Sequence, residues 1–192
     1  MQRCWSLLLF AVCFGQRVSY FPEQVLEDDY KVKVYSSFLT ELHEPSLWES
    51  SRSQITESSR FLWIRDFDHP ISVRLDAQHD GTAVLSIKIS SWHGGNEPGK
   101  VIEDRTRKLS LEQTRWFLDK VVELNFWSLP TDLPRVVGVF HLDGAHWILE
   151  GVRDTQYHVV DRWSPRKGEV RTLGLAMLVD LAQLKIPDQD VY

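Results

Sequence analysis

Three histidine-containing segments hold the side chains best suited to chemistry. In the first, His146 to Val152 and Tyr157 to Trp163 read as two strands joined by a tight turn. Centring that turn on Asp154-Thr155 sets Trp147 opposite Arg162, His146 opposite Trp163, Ile148 opposite Asp161 and Glu150 opposite Val159. His146, Glu150 and Asp161 then share one face, with the two carboxylates as diagonal neighbours. A close carboxylate pair beside an imidazole is the raw material of acid–base catalysis or of a metal site. Alternating charges on a hairpin are also the ordinary composition of a solvated face. The Trp147–Arg162 pairing permits a cation–π contact.

The second segment, Trp92 to Gly99, is a glycine-rich loop in which His93 and Glu97 could act together. In the third, Asp66, Asp68 and His69 could bind a divalent ion. They lack the later ligands and the mid-loop glycine of an EF-hand. No HExxH or His-x-His pair occurs among the seven histidines. There is no GxSxG elbow, and Gly94-Gly95 lacks the lysine and serine of a phosphate loop. Both cysteines, Cys4 and Cys13, fall at the extreme N-terminus. The residues therefore imply no cofactor and no metal, and the catalytic candidates reduce to His146, Glu150, Asp161, His93 and Glu97.

Eight tryptophans offer a different use. Trp63, Trp116, Trp127, Trp147 and Trp163 fall in or beside expected elements and suit a core. Trp48 and Trp92 stand in polar context, where an indole can anchor a protein partner or a sugar. Trp48, Trp92, Trp147 and Arg162 form the candidate binding set. Arg105, Arg107 and Lys108 make a local basic cluster, offset by Glu103 and Asp104.

The elements that must position these residues are legible from periodicity. Val25 to Glu44 carries a helical stripe of Val32, Tyr35, Phe38, Leu39 and Leu42. Glu49 to Ser59 reads as a serine-rich polar linker. Phe61 to Phe67 is a strand rich in aromatics, with Asp68-His69-Pro70 as its turn. Ile71 to Gln78 and Ala83 to Ser90 alternate cleanly about Asp80-Gly81, a hairpin signal. Val101 to Leu109 is charged on both faces and suits a sheet edge. Ser110-x-x-Gln113 is a capping box opening a helix that Asn125 can stop. Val170, Leu173, Met177, Leu178, Leu181 and Leu184 form the stripe of a C-terminal helix. The expected fold is α+β: a mostly antiparallel sheet of about five or six strands with two or three helices packed on one side. The expected organisation is 1–15 as an address, 16–59 as helix and linker, 60–186 as the α+β domain and 187–192 as a polar tail.

Met1 to Gly15 places Arg3 before an apolar run that ends near Phe14. About ten apolar residues are too few to span a membrane, which takes roughly 20. A short apolar run behind a basic residue has the form of a secretory signal, and Cys13 and Gly15 suit cleavage after Gly15. Cys13 also permits a lipid anchor, although Val12 fits a lipobox poorly. Removal of this segment leaves a cysteine-free chain, which suits an oxidising compartment. The whole chain of 192 residues carries a formal charge of −5, against general nucleic-acid binding. Its composition excludes disorder and a polytopic membrane protein.

Asp143 to Pro165, DGAHWILEGVRDTQYHVVDRWSP, resembles a segment of a family of bacterial proteins without an assigned activity. Phe61 to Arg74 (FLWIRDFDHPISVR) and Phe126 to Pro130 (FWSLP) are similar to the same family. The resemblance covers roughly residues 60 to 185. It implies a bacterial origin and names no chemistry. Three functions are compatible with these features. The leading one is an exported or membrane-tethered non-enzymatic module that binds a protein or other envelope partner, with membrane contact only through the N-terminus. The second is a hydrolase or metal-dependent enzyme using the His/Glu/Asp sets. The third is a cytoplasmic immunity- or inhibitor-type protein whose acidic surface meets a basic partner.

Overall fold

Period-two alternation along six segments produces a single antiparallel sheet. The computed structural model describes residues 18–52, 57–92, 99–134 and 143–192. The strands are β1 (Glu57–Arg65), β2 (Asp68–Ala77), β3 (Ala83–Ser90), β4 (Val101–Leu109), β5 (Ala145–Arg153) and β6 (Gln156–Trp163), in the order β4-β3-β2-β1-β5-β6. Among the described residues four α-helices accompany them: α1 (Asp29–Glu41), α2 (Leu47–Ser50), α3 (Leu111–Glu123) and α4 (Glu169–Leu175). The expected α+β class and antiparallel sheet are therefore present.

One sheet face carries Phe61, Trp63, Val73, Leu75, Leu85, Ile87, Trp147, Leu149 and Val160. The capping box of Ser110 and Gln113 starts α3, whose Phe117 and Val121 cover this face beside Val170 and Leu173 of α4. Asn125 adopts φ +53°, the left-handed conformation that ends a helix, as its side chain suits it to do. After α4 the chain makes π-helical turns over Ala176–Leu181. Those turns bury Ala176, Met177, Leu178 and Leu181 together. Arg105 and Arg107 donate to the carbonyls of Ala182 and Leu181, at 3.1 and 2.8 Å. The basic cluster on the edge strand β4 thus caps the C-terminal helix. Trp116 is not core: it lies on the outer side of α3 with Lys120 over its ring at 5.1 Å.

The opposite face differs from the sequence expectation. It is covered by residues 18–52, so helices lie on both sides of the sheet. Asp28 caps α1 by accepting from the Tyr30 amide at 2.7 Å. Tyr35, Phe38, Leu39 and Leu42 of the expected stripe pack on Leu62, Ile64, Ile148 and Val159. Each such side chain contributes roughly 1.5–3 kcal/mol by burial. β1 also starts at Glu57, inside the segment read as a linker, and Ser58, Ser59 and Arg60 are buried strand residues. The serine-rich composition hid this strand because its polar residues are satisfied by partners distant in sequence. Pro70 lies within β2 at a bulge between β1 and β2, where no ladder hydrogen bond is required of it.

Candidate functional site

β5 and β6 pair in the register expected from the turn: His146↔Trp163, Trp147↔Arg162, Ile148↔Asp161 and Glu150↔Val159. Asp154 at the turn has φ +55°. The face holding His146, Glu150 and Asp161 is not solvated, because α1 and the chain after it lie on top of it. Glu150 and Asp161 are both buried. The charges on that face divide into two clusters.

The first cluster joins His146 and Asp161 to two residues of α1. The Tyr35 hydroxyl lies 2.9 Å from Asp161 Oδ2 and 2.7 Å from His146 Nδ1. Lys31 Nζ is 2.9 Å from Asp161 Oδ2 and 2.7 Å from Asp132 Oδ1. Asp132 is brought there by the segment lining the β6 edge, where Thr131 accepts from the Asp161 amide at 2.8 Å. Burial opposes ionisation of Asp161, but hydrogen bonding and charge from His146 and the charge of Lys31 outweigh it and hold its carboxyl below the usual range. Burial likewise opposes the charge on Lys31, and Asp161 and Asp132 reverse that, raising it. Burial and the neighbouring carboxylate push the Tyr35 hydroxyl far up, so it stays neutral.

Proton accounting makes His146 Nδ1 a donor. An ionised Asp161 can only accept, so Tyr35 spends its single proton on Oδ2. His146 Nδ1 must then donate, to the Tyr35 oxygen at 2.7 Å and towards Asp161 Oδ1 at 3.3 Å. Its Nε2 makes no hydrogen bond to any described residue. The His146 side chain is 26% exposed, and the Trp163 ring packs against it edge to face at 4.7 Å. The arrangement can hold and pass a proton at Nε2.

The second cluster takes Glu150 away from this pair. Arg60 of β1 donates from Nε and Nη2 to Glu150 Oε2, and Tyr157 donates to Oε1 at 2.8 Å. Arg60 also reaches the Pro45 carbonyl at 2.7 Å and Glu44 at 3.6 Å. Glu44 in turn meets Arg74 at 2.8 Å and Lys88 at 3.4 Å. Arg74 is paired with Asp76, which accepts from Ser58 at 2.8 Å. Burial works against the charge on Arg60, but Glu150 and Glu44 outweigh it and hold the guanidinium protonated. The two carboxylates expected to act together are therefore separately neutralised. Arg60, Glu44, Tyr35 and Lys31 escaped the sequence reading. The available signal was the run of polar residues on the even positions of β1, β2 and β3, which looked like a solvated face.

The binding set fares differently residue by residue. Trp147 is fully buried and no surface anchor; its indole donates to the Tyr192 carbonyl at 2.8 Å. The cation over its ring is Arg171 at 5.5 Å, not Arg162. Arg162 instead donates to the carbonyls of Thr131 and Pro130, at 2.9 and 2.8 Å, because the chain crossing the β6 edge presents them. Trp48 is half-buried between Tyr157 at 5.6 Å and Arg52 at 4.5 Å. Trp92 is half-buried against Phe38 at 5.2 Å. His93 and Glu97 lie outside the described residues, as does the signal-like segment Met1 to Gly15. Asp66 accepts from the Gly144 amide at 2.8 Å and Asp68 pairs with Arg65 at 3.1 Å, so these residues tie the chain together. Among the described residues no group of three or more His, Cys, Asp or Glu could hold a metal ion. No protein-family model matches the chain, and no curated protein matches it in sequence.

Proposed function

We propose that this chain is a non-enzymatic binding module, exported or membrane-tethered through its N-terminus, whose partner is a protein. One observation carries the reading. Among the described residues, the candidate carboxylates Glu150 and Asp161 are engaged in the ion pairs and hydrogen bonds that hold residues 18–52 on the sheet, while large apolar side chains are left outside beside them. Tyr30 is 71% and Leu133 57% exposed, and they flank the bridge from Lys31 and the Glu27 amide to Asp132. Exposed aromatic and aliphatic groups ringed by ion pairs form the composition of a protein-binding patch. The export element rests on the signal-like start. No helix among the described residues is long and apolar enough to cross a membrane. The resemblance to bacterial proteins supports an envelope setting.

Photo-crosslinking in the native host tests the patch. A benzophenone side chain at Tyr30 or Leu133 should capture one defined protein, and the same probe at exposed Val179 should not. Equal capture from all three positions, or none, rejects the patch. N-terminal sequencing of the fractionated protein tests export: a start near Gln16 outside the cytoplasm is expected, and an intact Met1 in the cytosol favours an inhibitor-type protein.

A second reading is favoured by His146, whose Nδ1 is held by Tyr35 and Asp161 while Nε2 is unpaired among the described residues. That is the posture of a general base. Ester or amide hydrolysis by the purified protein that His146→Gln abolishes would establish it.

A further inference from the structure

Three cations from three successive strands converge on one carboxylate that does not belong to the sheet. Arg60 (β1), Arg74 (β2) and Lys88 (β3) surround Glu44, at 3.6, 2.8 and 3.4 Å. Glu44 lies in the short connection after α1, and its side chain is completely buried. The flanking backbone adds two acceptors: the His43 carbonyl takes Lys88 Nζ at 2.7 Å and the Pro45 carbonyl takes Arg60 Nη1 at 2.7 Å. His43 adopts φ +50°, a left-handed conformation that a non-glycine residue rarely takes. The connection is bent so that Glu44 enters the cationic site.

Charge accounting shows what the site requires. Arg60 retains Glu150 and Arg74 retains Asp76 when Glu44 is disregarded. Lys88 retains no other carboxylate ion pair among the described residues. The sheet therefore supplies one uncompensated buried cation, which Glu44 neutralises. Glu44 Oε1 accepts no hydrogen bond, so the occupant is held by charge at that oxygen and not by a tailored donor. Glu44 also lines a cavity of about 380 Å³, together with Tyr20, Ser46 and Glu49.

We propose that Arg60, Arg74 and Lys88 form a built binding site for a single carboxylate, filled in cis by Glu44 and able to take a carboxylate from outside the chain when Glu44 is withdrawn. The ligand is a monoanion because one charge balances the site; a phosphate dianion would leave an excess negative charge buried. Guanidinium groups match a planar carboxylate in geometry as well as charge. Two sources share this chemistry, a small organic acid and an acidic side chain of a partner.

Chemical rescue of the full chain tests the site. Glu44→Ala is purified or refolded in formate, in acetate, in N-acetylglutamate α-amide (whose γ-carboxylate is free), and in chloride at equal ionic strength. Formate at about 100 mM should raise the melting temperature, or the refolded yield, of Glu44→Ala by an amount absent in chloride, about 5–11 °C for a Kd near 1 mM. Wild type should not respond, because its site is full. Glu44→Ala/Lys88→Met should fold without carboxylate and should also not respond. Rescue by formate and acetate identifies a small-acid site; rescue confined to the glutamate α-amide identifies a partner's side chain. A Glu44→Ala protein that gains no more from any carboxylate than from chloride, or stays unfolded in all of them alike, overturns the proposal.

Discussion

Arg60 gives two hydrogens, from Nε and Nη2, to a single oxygen of Glu150 directly across the β1–β5 pair, at 2.8 and 2.5 Å, and neither side chain is exposed. Such a pair is expensive to break and of small net value to keep. Glu150→Ala leaves the buried cluster of Arg60, Arg74 and Lys88 one negative charge short, with only Glu44 and Asp76 to balance it, and should cost about 3–5 kcal/mol. Arg60→Met combined with Glu150→Leu should cost far less than the two single changes summed. Urea unfolding of the four proteins in a double-mutant cycle measures this. Equal and additive losses would show that the pair is not the unit.

Acid should loosen the grip of α1 on the sheet. The Asp161 carboxyl is held below its unfolded value, so its contribution is complete above the unfolded value, near pH 4, and is lost as pH falls through the folded one. Lys31 is raised above its ordinary 10.5, so its contribution is complete below that value and is lost as pH climbs through the folded one. Stability measured against pH should therefore fall at both extremes. Asp161→Asn should flatten the acid limb and weaken the alkaline limb as well, because Asp161 leads the groups that raise Lys31; Lys31→Met should remove the alkaline limb and keep most of the acid limb, which rests first on His146.

His146 and His158 should differ in reactivity towards diethylpyrocarbonate. Nε2 of His146 is unpaired among the described residues. At His158 the same atom carries a proton donated to the Leu129 carbonyl at 3.0 Å. Peptide mapping should find His146 modified well before His158. Tyr35→Phe should change the His146 rate, because the hydroxyl oxygen is the acceptor that keeps the proton on Nδ1. Identical rates at the two histidines would contradict the difference in their Nε2 partners.

Gly174 marks the closest approach of α4 to the sheet. A Cβ there would stand 2.9 Å from both the Phe61 and Trp147 rings, tighter than such contacts tolerate. Those rings are themselves fully buried and packed 5.2 Å apart, so they have little room to move. Gly174→Ala should cost about 1–3 kcal/mol as overpacking, although alanine is the better helix former. Thermal unfolding decides; a stabilised variant would mean that α4 can shift outward at no cost.

Local chemistry alone determined much of this protein. The turns at Asp80-Gly81 and Asp154-Thr155, the capping box at Ser110, the stop at Asn125 and the edge character of β4 all follow from residues within a few positions of one another. The β5–β6 register follows from its turn, so the His146–Asp161 neighbourhood was legible. The use of the polar residues was not. Arg60, Arg74 and Lys88 look solvent-facing in sequence because polar alternation on a strand ordinarily means water. Only the tertiary structure lays α1 and Glu44 over them and makes that face an interior. Their partners are distant in sequence, and buried charges take their meaning from the opposite charge that reaches them. No period or spacing within a strand records which one that will be.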